Sequence, residues 1–246
     1  MGEGLPARGE PGPRKTADHQ PQPPDTDTAP QAPTRGLAPG EGAMGEGLPH
    51  AWGGLRGGHP PGRDTVSGFV REARASDAEG LARVQAASWL ETFAGLVPDA
   101  VIGELTSESA VDQWAARWRD AIGAPPTSRH RVHVAVEQAG ASEILGFAAA
   151  GPATDEDLWP GADGELYELH VTPAVAAGGH DQRLLHAVAD TFAEDGFSTA
   201  YTWALAGDSA RIGFLEAAGW APDGSRSNLD MGVKVAVVRL HTRLGR

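Results

Sequence analysis

The sequence predicts an α/β (α+β) domain, in which a mixed and largely antiparallel sheet is flanked by helices. Three observations lead there. Helical periodicity dominates from Asp77 to Ile122, and the pattern then changes to short strands from His130 to Val171. An apolar-striped helix around Gln182–Glu194 separates two strands, which calls for one parallel crossover.

The elements follow in order. "FVREARASD" from Phe69 reads as a strand entering a turn, with Ser76 or Asp77 as N-cap of a helix carrying Leu81, Val84 and Ala87/Ser88 at helical spacing. Pro98 interrupts it, and "PDAVIGEL" opens a second helix. A third, "SESAVDQWAARWRDAI", has Val111, Trp114, Trp118 and Ile122 as its apolar stripe. "HRVHVAVE" alternates Val132, Val134 and Val136, as a half-buried strand does. "EILGFAAAG" and "ELYELHV" are the next strands, joined by the acidic loop "PATDEDLWPGADG". A turn with two glycines then leads to a helix holding Leu184, Leu185, Val188 and Phe192. "STAYTWALA" is a strand, "DSARIGFLEAAGW" a helix ending at Gly219, and "VKVAVVRLHTR" a closing strand in a tail of one or two.

Residues 1–64 are different in kind. They hold 12 Pro and 14 Gly with few large apolar residues, so the prediction is a disordered extension preceding a domain at 65–246. No apolar h-region follows its first basic residues, so it does not read as a signal peptide. "MGEGLP" occurs at Met1–Pro6 and again at Met44–Pro49, a spacing unlike any solenoid repeat.

Charge and composition narrow the function. The chain carries a net charge of −13, of which residues 65–246 contribute −11, which argues against nucleic-acid or anionic-membrane partners. With no cysteine there are no disulfides, thiolate nucleophiles or thiolate metal sites. The histidines form no HExxH, so no metal is expected, and no GxGxxG or Walker sequence is present. A cytoplasmic location is the expectation, and a homodimer is compatible with the sequence.

Four stretches, in this order and spacing, resemble the GNAT superfamily of acetyl-CoA-dependent N-acetyltransferases over roughly Phe69 to Leu244. They are "VREARASDAEGLARVQAASWLETFAGLVPD", "GELYELHVTP", "AAGGHDQRLL" and "WALAGDSARIGFLEAAGWAPDG". The resemblance implies a central sheet of about six or seven strands whose fourth and fifth splay apart to admit acetyl-CoA as co-substrate. It implies transfer to a primary amine of a small molecule or protein by direct attack in a ternary complex. Backbone groups at Leu169 to Val171 would hold the thioester carbonyl and its oxyanion. Val175, Ala176, Ala177, Gly178, Gly179, Asp181 and Gln182 would lie along the pyrophosphate, at the positive end of the next helix.

This chain departs from the family's Gln/Arg-x-x-Gly-x-Gly/Ala loop, keeping Gly179 but placing Ala176 and Asp181 at the other positions. A carboxylate beside a diphosphate costs like-charge repulsion, and Asp181 equally reads as the N-cap of the helix. Asp208 stands where the family has Asn, another natural cap, and Leu215 replaces a tyrosine that protonates the departing thiolate. Water or Ser209 would then supply that proton. Glu165, Glu168 and His170 are the candidate general bases; alternation sets Glu168 and His170 on one face and Glu165 with Tyr167 on the other, unless a bulge changes the parity. The alternative is a catalytically degenerate acyl-CoA-binding or interaction module. Trp89, Trp114 and Trp118 read as core, with Trp89 and Phe93 also placed to line an acceptor pocket. The acidic loop beside them reads as a solvated loop or an attractant for a cationic amine.

Overall fold

The computed structural model describes residues 68–138 and 143–245. The proposed extension at 1–64 and the domain start at Thr65 lie outside the described residues. Strand β1 (Phe69–Glu72) leads into a single 3-10 turn, Ala75–Asp77, and then α1 (Ala78–Thr92). Asp77 stands at the N-cap of α1, as expected, but its carboxylate makes no bond to the helix: it accepts from the Arg74 N–H (2.7 Å) and from both ends of the Arg71 guanidinium (2.7 and 3.0 Å). The 3-10 turn and an arginine therefore claim the side chain before the helix can.

Pro98 precedes α2 (Asp99–Leu105), and Ser107 caps α3 (Glu108–Gly123) by accepting from the Ala110 N–H at 3.2 Å. Then come β2 (Arg131–Val136), β3 (Gly146–Pro152) and β4 (Asp163–Val171), followed by a 3-10 stretch, Pro173–Gly178, and α4 (His180–Glu194). The chain ends with β5 (Thr199–Leu205), α5 (Ser209–Ala217), β6 (Ala221–Asp230) and β7 (Lys234–Arg243).

The seven strands among the described residues lie in the order β1-β2-β3-β4-β5-β7-β6. Every neighbouring pair is antiparallel except β4 and β5, whose parallel pairing requires the α4 crossover. On one face α4 sets Leu184, Leu185, Val188 and Phe192 against Leu166, Leu169, Ala200 and Leu240. Gly164 permits this approach, since a Cβ there would stand 2.8 Å from the Phe192 ring. On the other face α1 and α3 bury Leu81, Val84 and Trp114 over the sheet, with Val134, Val136 and Phe147 beneath. The tryptophans Trp89 and Trp114 pack edge to face with centroids 5.2 Å apart, within that second core.

Two irregularities shape the centre of the sheet. β4 and β5 pair only from Asp163↔Thr199 to Leu166↔Thr202. Beyond Leu166 the strands part, and the Thr202 hydroxyl donates to the Leu166 carbonyl at 2.9 Å at the fork. The second is a bulge: Ala149 faces Glu168 while Ala150 faces Leu166, leaving Tyr167 as the extra residue. Its hydroxyl donates to the Pro152 carbonyl at 2.5 Å.

Candidate active site

The bulge decides where the β4 carboxylates point. Leu166 and Leu169 both bury against α4, so the parity flips between them, and Glu165, Glu168 and His170 share the opposite, α1 side. Simple alternation had separated Glu165 from the other two; Tyr167 is the physical reason it does not. The three are nevertheless held in different ways.

Glu165 is completely buried. Its Oε2 accepts from the Thr154 backbone N–H (3.0 Å) and hydroxyl (2.7 Å), fastening the start of the acidic loop to β4. Two residues past the bulge the arrangement is more open. The Glu168 side chain is 33% exposed, and its Oε2 stands 2.5 Å from His170 Nε2. The other ring nitrogen, Nδ1, is 2.9 Å from the Ser88 Oγ on α1. Phe147 backs the imidazole, with ring centroids 5.2 Å apart. Ser88, His170 and Glu168 thus form one hydrogen-bonded chain from α1 to the open side of β4. The sequence had put Ser88 only on a packing stripe; a small polar residue on the apolar face of α1 is the signal that could have singled it out.

The loop after β4 departs from the expectation. Val175, Ala176 and Ala177 lie in a 3-10 stretch ending at Gly178, and Gly179 (φ 68°, ψ 22°) is the N-cap of α4. That left-handed backbone is open to glycine at little cost. Asp181 is therefore not the cap but sits inside the first turn, where its carboxylate accepts from the Gln182 N–H at 2.8 Å. One of the free N–H groups at the helix start is thereby taken. Arg183 does not turn toward Asp181 in a hydrogen bond; it donates to the Gly178 carbonyl at 2.7 Å and lies 3.2 Å from His180 Nδ1. His180 is buried and its Nε2 has no partner.

Arg211, on α5, is a site residue that the sequence reading missed. Its guanidinium is within electrostatic reach of Asp208 at the start of α5, Asp181 in the first turn of α4 and Glu168 on β4. Burial pulls its pKa below the usual guanidinium range, while the three carboxylates act in the opposite sense. Asp208 caps α5 by accepting from the Arg211 N–H at 2.9 Å, as expected. Leu215 is buried in the α4-side core.

The acidic loop is engaged rather than simply solvated. On β7, Arg239 donates to Asp155 (3.0 Å), Asp157 (2.8 and 2.6 Å), Asp223 (2.6 Å) and Ser225 (2.9 Å). Burial alone would lower the Arg239 pKa, but these carboxylates outweigh it and hold the group above its ordinary value. The Trp203 indole N–H also donates to Asp155 at 2.8 Å. Trp89 and Phe93 are buried, 5% and 6% exposed, which leaves little of either ring to line an acceptor pocket. Among the described residues no His/Asp/Glu cluster has metal-binding geometry, and no helix is long and apolar enough to cross a membrane.

Among the described residues, a mixed sheet whose one parallel pair parts beside a crossover helix is the acetyltransferase fold of the GNAT superfamily. In sequence it is 29% identical to the uncharacterized N-acetyltransferase YuaI of Bacillus subtilis (strain 168) over 136 residues, 55% of this chain and 70% of that one. In fold it is similar to the PaiA N-acetyltransferase of Thermoplasma acidophilum, solved with coenzyme A (TM-score 0.50, 17% identity, 72% of this chain and 99% of that chain). It is likewise similar to yncA of Salmonella typhimurium, solved with its cofactor acetyl-CoA (TM-score 0.51, 17% identity, 73% and 95%). No family model matches the chain.

Proposed function

We propose that this protein transfers the acetyl group of acetyl-CoA to a primary amine of a small molecule or protein, by direct attack in a ternary complex. The parting of β4 from β5 after Leu166, with the Glu168–His170–Ser88 chain beside it, is the observation that carries this reading. Acetyl-CoA fits there in two respects. The separated strands leave backbone groups of Leu169 to Val171 without a β5 partner, able to hold a thioester carbonyl. The buried, unpartnered His180 Nε2 and the left-handed Gly179 mark a polar turn at the start of α4, suited to a diphosphate. Asp181 weakens that end by taking the Gln182 N–H, and Arg211 offsets its charge.

Glu168 is the general base of this scheme. It is the exposed end of the chain, and its carboxylate accepts the proton that an ammonium acceptor must lose, directly or through water. His170 holds it in place. Glu165, buried against Thr154, positions the loop over the sheet. With Leu215 in the core, the CoA thiolate leaves without a tyrosine donor, which its thiol pKa of about 8.5 allows.

The degenerate-module reading draws on one observation, the capture of the Gln182 N–H by Asp181. Calorimetric titration with acetyl-CoA separates the two. Saturable binding supports the transferase; no heat at millimolar acetyl-CoA removes it.

A further inference from the structure

The far end of the hydrogen-bonded chain that holds Glu168 sets how His170 is held, with a consequence for the reaction that rests on the transferase reading. His170 is bonded at both nitrogens, which removes it from direct contact with an acceptor and makes its two partners the determinants of its state. A carboxylate only accepts hydrogen bonds. The 2.5 Å contact between Nε2 and Glu168 Oε2 therefore places the single proton of the neutral ring on Nε2. Nδ1 is left with a lone pair in a site where the ring side chain is only 12% exposed. A lone pair so placed needs a donor, and the Ser88 hydroxyl at 2.9 Å is that donor.

We infer that Ser88 is a positioning residue for acetyl transfer: its hydroxyl fixes His170 with Nε2–H on Glu168, and thereby keeps the Glu168 carboxylate aimed. A hydroxyl suits the place because it rotates. It donates to Nδ1 while the ring is neutral and accepts from Nδ1–H when the ring is charged, so His170 keeps both contacts in either state. Alanine can do neither. Without the hydroxyl, Nδ1 loses its donor and the Glu168 contact is left alone to oppose the tautomer or ring rotation that turns a lone pair toward the carboxylate, and a ring so turned displaces the base. Threonine retains the hydroxyl and so retains the function. The location follows from α1 geometry, since Ser88 comes one turn after Val84 on the helix face that meets β3 and β4.

The test follows the ring nitrogens of His170 by NMR in the full chain at alkaline pH, in wild type, Ser88→Ala and Ser88→Thr. Wild type and Ser88→Thr are expected to show one species, protonated at Nε2, and Ser88→Ala a mixture of tautomers. In parallel, acetyl-CoA release of thiol is followed with ethanolamine, 1,4-diaminobutane and lysine as amine probes. Ser88→Ala is expected to lower kcat about tenfold or more with acetyl-CoA affinity unchanged, and Ser88→Thr to restore it. A wild-type proton on Nδ1, or a Ser88→Ala spectrum identical to wild type, overturns the inference. So does an acetyl adduct on the Ser88 peptide, which would make the serine a nucleophile. Failure of the wild type to bind acetyl-CoA would instead remove the transferase reading while the tautomer result stood.

Discussion

Glu165 and Glu168 stand three residues apart on β4, yet both face α1, because the bulge at Tyr167 inserts one residue between them. The same strand thus delivers a buried carboxylate that secures a loop and a part-exposed one available for proton transfer.

That difference separates the two glutamates experimentally. Glu168→Gln keeps the size of the side chain but removes its basicity. It is expected to lower the rate of acetyl transfer by about 10²–10⁴-fold with acetyl-CoA binding preserved. Glu165→Gln is expected to fall chiefly on stability, because the amide keeps one oxygen for the two Thr154 donors but removes the charge and sets an NH₂ in the completely buried place of the other carboxylate oxygen. Steady-state kinetics with the amine probes and urea denaturation distinguish them. A larger kinetic loss in Glu165→Gln than in Glu168→Gln would reverse the assignment.

Asp181 makes a second prediction. Its carboxylate occupies the Gln182 N–H and adds negative charge at the start of α4. Asp181→Asn keeps an oxygen for that N–H while removing the charge, and Asp181→Gly removes both. Each is expected to tighten acetyl-CoA binding, by about tenfold for the charge, with a further gain in Asp181→Gly from the freed N–H. Calorimetry reads the affinities. Equal affinity in all three proteins would mean the carboxylate lies outside the reach of the diphosphate.

Much of the fold was legible because it depends on periodicity. The helical stripe of Leu184, Leu185, Val188 and Phe192 buries as the sequence pattern requires, whereas β2 is not half-buried: Val134 and Val136 are buried and Val132 partly so, but His133 and Ala135 on the other face are buried too, because α4 covers it. β6 was harder to see. Among the described residues it is an edge strand paired with β7 alone, it bulges between Pro222 and Arg226, and half of its residues are exposed, so it carries no apolar alternation. At the site, the chemical residue types on β4 were visible, but their facing was not: one extra residue changes the parity of a strand and leaves no mark in composition. The two aspartates expected as caps came out differently. Asp77 holds the N-cap position of α1 but gives its carboxylate to Arg71 and Arg74, whereas the left-handed Gly179 takes the cap of α4 and leaves Asp181 in the first turn. Ser88, Thr154 and Arg211 become site residues only through partners distant in sequence.

Arg239 yields a stability prediction. Its side chain is 5% exposed, and it joins β7 to Asp155 and Asp157 of the acidic loop and to Asp223 on β6. Removing the cation leaves the buried Asp155 without its charge partner. Arg239→Ala is expected to cost about 3–5 kcal/mol, whereas Asp157→Asn, on a side chain 61% exposed, is expected to cost under about 1 kcal/mol. Denaturant midpoints compare the two. A loss of similar size in both variants would mean that the exposed contact matters as much as the buried one.

Burial pushes the His133 imidazole below its ordinary value; Arg131 acts in the same direction, and Glu72 and Glu194 oppose it. The ring bridges β2 and α4, with Nε2 2.9 Å from the Thr191 hydroxyl. His180 is lowered as well, by burial and then by Arg183, with Asp181 opposing. For a histidine depressed in the folded state, the unfolded chain binds more protons over the interval between the two pKa values. Its contribution to stability is therefore complete above the unfolded value of 6.5 and declines as pH falls through the lower, folded one. The protein is expected to lose urea resistance between about pH 7.5 and pH 5.5, before most carboxylates titrate. His133→Gln, which keeps a hydrogen-bonding group near Thr191 but cannot take up a proton, is expected to show a shallower decline. An unchanged slope would assign the pH dependence to His180 or to groups outside this bridge.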